Sequence, residues 1–217
     1  PRKKVADIIT EAPIHHGLIS TSERSSFAME MLTRVGLDSE AMERYPHQFS
    51  GGQRQRIGIA RALAVSPELL VCDESIAALD VSIQAQVLNL FVHLKQKYDL
   101  TYLFISHDIG VVEHISDRVI VMYLGRIVET APIETFTENP NHPYTKALLD
   151  GVPRLEIGKR DYEPVSGEIP SPLEPPSGCH FHPRCKLATV SCKTIKPDLL
   201  EIAPGHFSAC HLNTSKK

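Results

Sequence analysis

A Ser-Gly-Gly turn that runs straight into a helix is the sharpest chemical signal in this 217-residue sequence. The turn is Ser50-Gly51-Gly52-Gln53, and the Arg- and Ala-rich stretch that continues to Val65 has the pattern of a helix. A hydroxyl, unobstructed backbone N–H groups and the positive end of a helix dipole suit an anion such as a phosphate. An isolated Ser-Gly-Gly is more often a helix start without a ligand, so the neighbouring motifs must decide.

An acidic pair, Asp73-Glu74, lies twenty residues after Gln53. It ends the short apolar run from Leu69 to Cys72, which predicts a buried parallel strand. In this arrangement, the Walker B motif, the aspartate holds a nucleotide-bound Mg²⁺ and the glutamate acts on the attacking water as general base. A strand that merely ends in solvated carboxylates is the alternative.

Two more polar segments follow in chain order. Ala77 to Asp80 resembles a D-loop, and His107 follows a second predicted buried strand, Tyr102 to Ile105, where it could reach a γ-phosphate. A helix predicted to open at Ser82 separates the two strands, so the core is predicted to be α/β. A single histidine is more often structural, but four elements in this order and at these separations argue against coincidence.

This order of signature motif, Walker B with glutamate, D-loop and switch histidine resembles that of ABC transporter ATP-binding subunits, over essentially the whole chain. Residues 45–50, 79–86 and 141–148, together with the C-terminal cysteines, look like the oligopeptide/dipeptide importer branch. Within that branch the chain looks more like the second of the two paired ATPase subunits, the F-type. The resemblance implies an ABC-type P-loop NTPase core with a helical subdomain and a small C-terminal extension.

The resemblance also implies a function and partners. The protein would be an ATPase that uses ATP and Mg²⁺ to drive peptide import, paired head to tail with a homologous ATP-binding subunit beneath transmembrane permease subunits. The segment from about Ser22 to Arg44 either meets the permeases or is ordinary core. The residues implied to contact the partner's nucleotide are Ser50, Gly51, Gly52 and Gln53. Those implied to serve the subunit's own nucleotide are Asp73, Glu74 and His107, with Asp80 in the D-loop.

The sequence also departs from that family. No Gly-x-x-x-x-Gly-Lys-Ser/Thr occurs in the 217 residues, so the loop that cradles the β- and γ-phosphates is missing from them. We therefore expect an N-terminally truncated chain or a split gene product, inactive as an ATPase by itself. Ser75 and Ala77 stand where the family usually has proline and serine or threonine, which loosens a normally rigid turn.

Composition shifts along the chain predict three parts. By the same resemblance, residues 1–150 form a partial ABC ATPase domain, with the helical subdomain at about 4–50, the signature motif at 50–53 and Walker B to switch histidine at 69–107. Within the subdomain, Ser22 and Gly36 are the predicted N-cap and C-cap of one helix. Residues 118–123 and 126–129 flank Leu124-Gly125 and predict a hairpin. Residues 151–178 are a predicted Pro-rich linker, and residues 179–217 a cysteine-containing extension.

Four of the five cysteines lie in the last 39 residues, spaced C-x5-C-x6-C-x17-C: Cys179, Cys185, Cys192 and Cys210. Outside an oxidising compartment such a cluster predicts metal binding before disulfides. By resemblance to some members of the peptide-importer branch the centre is a structural [4Fe–4S] cluster. Zn²⁺ is the runner-up, because structural zinc ligands usually come in close pairs.

Charge and hydropathy limit the remaining functions. The formal charge is −3, from 23 Lys and Arg against 26 Asp and Glu, and gives no reason to expect a nucleic-acid partner. No apolar run approaches the roughly 20 residues of a membrane span, and the N-terminus lacks a signal-peptide pattern. We therefore expect a peripheral protein on the cytoplasmic face of the membrane. The alternatives are a soluble ABC ATPase of translation or DNA repair, which should lack the cysteine tail, and a non-catalytic metal-binding module.

Overall fold

A computed structural model describes residues 2–152 and 167–213. The chain divides into two compact units, Pro1–Val111 and Val112–Lys217. Half of the predicted Pro-rich linker, residues 153–166, lies outside the described ranges. In the part of the chain that is described, no helix combines the length and apolar character needed to cross a bilayer.

The first unit opens with helices packed on one another. They are α1 (Val5–His15), α2 (Arg24–Arg34) and α3 (Gly51–Leu63). Apolar residues at helical spacing fill the space between them, among them Val5, Ile9, Leu32 and Ile57. Short 3₁₀ turns at Thr21–Glu23, Ser39–Glu43 and Pro46–Gln48 join the helices.

The ends of α2 test two sequence predictions. Gly36 closes the helix as predicted, with a φ of +68° that favours glycine and with the Leu37 N–H bonded to the Leu32 carbonyl at 2.9 Å. The predicted N-cap, Ser22, was wrong, because Glu23 occupies the N-cap position of α2. Ser20, not Ser22, forms a capping box with Glu23 ahead of the helix, because a 3₁₀ turn precedes it.

The rest of the first unit is a βαβ element. Strands β1 (Leu69–Asp73) and β2 (Thr101–Ile105) are parallel and joined through α4 (Val81–Tyr98). Phe91 of α4 packs edge-on against Tyr102 and Phe104, which fills one face of the pair. Both strands were predicted, but their full burial was not confirmed. The opposite face leaves four apolar residues 45–61% exposed, because within the described chain this sheet has only two strands and no layer covers that face: Leu69, Val71, Leu103 and Ile105.

The second unit is built on an antiparallel sheet of order β3-β4-β6-β5. The predicted hairpin is present as β3 (Arg118–Tyr123) and β4 (Arg126–Pro132), with positive φ at both turn residues, Leu124 and Gly125. The cysteine region contributes β5 (Leu200–Ala203) and β6 (His206–Ser208), and β6 pairs with β4 through Glu129 and Thr130. The unit thus joins the hairpin to the C-terminal residues, whereas the sequence placed a boundary near residue 150.

Short helices complete the second unit. They are α6 (Ile133–Glu138), α7 (Pro143–Asp150) and α8 (Val190–Thr194), with 3₁₀ turns at His182–Arg184 and His211–Asn213. The division between the two units falls inside α5 (Ile109–Ile115).

Candidate functional site

The signature turn is a capping box at the start of α3. Ser50 has extended backbone angles and its Oγ accepts a hydrogen bond from the Gln53 N–H at 3.3 Å. In return the Gln53 Oε1 accepts from the Ser50 N–H at 3.1 Å. This reciprocal pair rigidifies the first turn of a 13-residue helix, whose N-terminus carries the partial positive charge that anions prefer.

The two glycines of the turn meet different surroundings. A Cβ on Gly52 would lie 2.4 Å from Cγ2 of Ile83 in α4, so only glycine permits this approach of the two helices. A Cβ on Gly51 would lie 3.3 Å from Cδ2 of Leu79, the end of a flexible side chain, and Gly51 itself is exposed. Gly52 is therefore needed for packing, while Gly51 offers open backbone to a ligand.

The acidic pair and the histidine meet at the carboxyl edge of the parallel strands. Glu74 continues the ladder past β1 through its N–H, which donates to the Ile105 carbonyl at 3.0 Å. Its φ of +44° is left-handed, a conformation that non-glycine residues adopt at a cost and that clusters at functional sites. His107 Nδ1 lies 3.3 Å from Glu74 Oε1, with the two side chains 72% and 59% exposed.

The remaining predicted residues lie near that edge. Asp73 is the last residue of β1 and is exposed, and Asp80 occupies the N-cap position of α4 without making a side-chain capping bond. Ser75 has a buried hydroxyl without a hydrogen-bond partner among the described residues. The proline that the family usually has at this position carries no hydroxyl. Serine here therefore destabilises the fold by leaving a buried polar group without a hydrogen bond.

The four C-terminal cysteines converge. All four line one small cavity in the second unit, together with His142, Pro143, Phe181 and four further residues of the extension: His182, Leu187, His211 and Leu212. The Cys179 N–H donates to the Cys192 carbonyl at 2.9 Å, which ties two of the segments together. All four thiols are free. Residues up to 31 positions apart in sequence thus surround a single space.

Each of these sulfur atoms has a backbone N–H beside it. Cys192 Sγ lies 3.4 Å from the Thr189 nitrogen, which donates to it. Burial raises the pKa values of Cys179, Cys185 and Cys210, and a hydrogen bond from the N–H two residues further along opposes that rise in each case. Donors aimed at sulfur stabilise thiolate charge, and buried thiolates need such donors and a metal to be stable.

The sulfur atoms are not arranged for a single ion. Among residues 2–152 and 167–213, no group of three or more His, Cys, Asp or Glu side chains has a geometry that would hold one metal ion. Neither the iron–sulfur cluster nor the zinc alternative is therefore shown, and the metal stays a prediction.

Comparison with known proteins finds one family match over the N-terminal part of the chain and another over the C-terminal part. The ABC transporter family model matches residues 1–77, and the model for the oligopeptide/dipeptide transporter C-terminal region matches residues 128–192. The oligopeptide transport ATP-binding protein AppF of Bacillus subtilis is 53% identical over 98% of this chain and 65% of its own length. The dipeptide transport ATP-binding protein DppF of Haemophilus influenzae is 50% identical over 97% and 64%. A Brucella ovis protein named for peptide import ATP binding is 51% identical over 97% and 67%.

The chain belongs to the ABC transporter ATP-binding family. The predicted family and its peptide-transporter C-terminal region are thereby confirmed. A structure described as an inward-facing conformation of a metal-chelate type ABC transporter has a TM-score of 0.58 and 28% identity, covering 69% of this chain and 59% of that chain. It confirms the α/β ABC-type fold. The chain spans about two thirds of the length of the curated relatives it matches.

The two family matches include some of the predicted site residues and not others. The ABC transporter match includes the signature turn, Asp73 and Glu74, but ends before Asp80 and His107. The C-terminal match includes three of the cysteines and ends at Cys192, so Cys210 lies beyond it. The structure places Cys210 at the same cavity as the other three.

Sequence reasoning missed the buried polar centre of this family's C-terminal region. Glu129 is fully buried and accepts from the Asn141 N–H at 2.7 Å and the His142 N–H at 2.8 Å. His206 Nε2 lies 2.7 Å from Glu129 Oε1, so β4, β6 and the start of α7 meet at one carboxylate. The only available signal was the Asn-His-Pro-Tyr-Thr segment, noted for resemblance and not for chemistry.

His142 is held neutral inside this centre. It caps α7, with Nδ1 accepting from the Tyr144 N–H at 3.1 Å. Burial lowers its pKa to about 4, against the opposing effect of the Glu129 charge. A neutral imidazole is required for the cap, since a protonated Nδ1 cannot accept a hydrogen bond.

Proposed function

We propose that this chain is the catalytic and C-terminal part of an F-type ATP-binding subunit of a peptide importer. Two such homologous subunits would pair head to tail at the cytoplasmic face of the membrane, beneath permease subunits that carry the peptide. The observation that carries the proposal is the pairing of Glu74 with His107 at 3.3 Å on the carboxyl edge of two parallel strands. Ligands of open α/β sheets bind at that edge.

The side chains divide the work of hydrolysis. Asp73 would hold the Mg²⁺ of a bound nucleotide, and Glu74 would accept a proton from the attacking water. His107 keeps the Glu74 carboxylate oriented at the edge. When bound, Mg²⁺-ATP supplies the transferable phosphoryl group, and phosphoryl transfer depends chiefly on positioning and charge stabilisation.

The signature turn would serve the partner's nucleotide. The turn lies at a helix start that Gly52 seats against Ile83 of α4, and its Gly51 is exposed. A site of this kind is completed only when two subunits meet, so hydrolysis would be a property of the dimer. The phosphate-cradling lysine and glycine-rich loop are not among these 217 residues. The 217 residues by themselves should therefore hydrolyse ATP at well below about 1 s⁻¹.

A chimaeric subunit tests this function. The N-terminal part of Bacillus subtilis AppF that this chain does not match would be joined to the 217 residues, and the product expressed in cells lacking AppF. Restored ATP-dependent peptide uptake is the expected result, with the N-terminal part alone as the inactive control. A chimaera that folds and assembles with the permeases but neither binds nor hydrolyses ATP would refute the proposal.

We further propose that the four cysteines hold a structural [4Fe–4S] cluster. Their shared cavity and their N–H donors support a thiolate-bound centre. Iron–sulfur is preferred to zinc because none of the cysteines comes in the close pairs usual for structural zinc ligands. All four protein positions would be filled, so the centre would fold the extension and leave no position open for substrate.

Anaerobic purification tests the cluster. The protein should be brown with the broad visible absorption of an iron–sulfur chromophore, and Cys185→Ser should remove the colour. Cys72→Ala is the matched control, because Cys72 lies on β1 in the other unit and should leave the colour unchanged. Colourless protein with one equivalent of zinc would overturn the iron, and protein without any metal would overturn the centre.

A further inference from the structure

A second cavity in the C-terminal unit takes no part in the proposed functions. It is an open groove of about 400 Å³ lined by residues 125–128, 178–180, 196–199 and Ala209. Only Cys179 is shared with the wall of the cysteine cavity. A volume of this size suits a small organic molecule, since ligand pockets usually measure about 300–1,000 Å³.

Charges of both signs line the groove. Arg126 donates from Nη1 to the Gly178 carbonyl at 3.4 Å, and Lys196 and Asp198 also line the groove. His180 is 7% exposed, with Nδ1 3.2 Å from the Leu124 carbonyl.

Apolar surface separates these charges. Ile127 and Leu199 are 42% and 40% exposed at the groove. β4 pairs with β6 only through Glu129 and Thr130, so the first residues of β4 border the groove on that edge, while their other edge pairs with β3. The groove therefore combines two cations, one carboxylate and an apolar wall.

We propose that this groove binds a small zwitterion of the amino-acid and short-peptide class. Arg126 and Lys196 would hold the ligand's carboxylate, Asp198 its ammonium group, and Ile127 and Leu199 an apolar side chain. A polyphosphate or nucleic acid fits less well, because Asp198 would face its negative charge. The zwitterion class follows from the charges on the walls, whereas the choice of peptides among the probes rests on the proposed function.

Calorimetric titration of the full 217-residue chain, purified anaerobically, tests the site. The probes are Leu-Leu with free ends, N-acetyl-Leu-Leu, Leu-Leu amide, free leucine and butyrate. The free dipeptide should bind, and blocking either end should weaken binding at least tenfold, because each block removes one charge-assisted contact. Preference for leucine over Leu-Leu would make an amino acid the ligand and still support the class.

Lys196→Gln should weaken binding of the free dipeptide about tenfold. Lys193→Gln is the matched control, since it removes the same charge from an exposed lysine of the same segment that does not line the groove. Equal binding of N-acetyl-Leu-Leu, or of butyrate, would replace the zwitterion with a simple anion and overturn the proposal. Absence of binding by every probe would also overturn it, and neither result touches the ATPase function because no nucleotide is present.

Discussion

The carboxyl edge of β1 and β2 and the buried centre around Glu129 each bring a carboxylate to a histidine, in opposite environments. Glu74 and His107 are 59% and 72% exposed at 3.3 Å, whereas Glu129 and His206 are 0% and 5% exposed at 2.7 Å. The exposed pair has few internal partners and remains available to a ligand. The buried carboxylate accepts two backbone N–H bonds besides the histidine, and is satisfied by its own chain.

This difference in exposure suits one pair to chemistry and the other to stabilising the fold. A buried, fully bonded carboxylate contributes to folding and cannot readily reach a substrate, because any change in its bonds leaves polar groups unsatisfied. An exposed carboxylate contributes little to stability but can accept a proton. Substitution should therefore affect catalysis at one pair and folding at the other.

The largest effect is expected for Glu74→Gln in the chimaeric subunit. The amide keeps the shape but cannot act as a base, so the hydrolysis rate should fall by about 10²–10⁴-fold while ATP binding persists. Glu68→Gln is the matched control, as it makes the same change on an exposed residue just before the other end of β1. Hydrolysis within about twofold of the parent would remove Glu74 from the catalytic role.

Glu129→Ala should instead destabilise the C-terminal unit by about 3–5 kcal/mol, because it leaves two buried N–H groups and His206 without their acceptor. Hydrogen exchange of the β4 and β6 amides in increasing urea measures this unit separately from the other. Glu138→Ala, on an exposed glutamate of α6, should change the free energy of unfolding by less than about 0.5 kcal/mol. Equal effects of the two substitutions would contradict the architectural role of Glu129.

The pH dependence of stability should come from the buried centre. His142 has a folded pKa of about 4, below the usual value of 6.5. The unfolded chain therefore binds the proton first, so stability present above pH 6.5 is lost as the pH falls towards 4. Between pH 7 and pH 5 the unfolding free energy of this unit should fall by about 2 kcal/mol.

Urea unfolding at a series of pH values measures that slope. His142→Gln should flatten it, leaving a smaller fall in the same direction from His180, whose pKa is also lowered. His114→Gln, on an exposed histidine of α5, should keep the parent slope. An unchanged slope in His142→Gln would show that His142 is not the buried neutral group described.

The smallest effect is expected at Gly51 of the signature turn. In the chimaera, Gly51→Asp should weaken ATP-dependent dimerisation about tenfold, because its carboxylate would face the partner's phosphates. Gly51→Ala should stay within about twofold, since its Cβ meets only the end of the Leu79 side chain at 3.3 Å. Sedimentation with and without ATP measures both. Undiminished dimerisation of Gly51→Asp would show that this turn does not contact the partner's nucleotide.

The sequence by itself determined the order of chemical motifs and the local elements that carry them. Ser50 to Gln53 before a helix, Asp73-Glu74 after an apolar strand and His107 after the next one identify the family, because their meaning lies in adjacent residues and short separations. The Leu124-Gly125 turn and the glycine cap at Gly36 were likewise readable, since backbone conformation there depends on local sterics. The cysteine spacing predicted a shared centre, and its metal remains a prediction.

Only the tertiary structure decided which distant residues meet. Glu129 and His206 lie 77 positions apart, and neither has a periodic or motif signal that would pair them. The structure also decided that β6 joins the hairpin through β4, and that one face of β1 and β2 is exposed in this chain. Long-range contacts depend on how whole elements pack, and a buried polar network exists only where several elements bring its members together. For that reason the edge that we propose to be catalytic could be predicted from the sequence, and the buried centre could not.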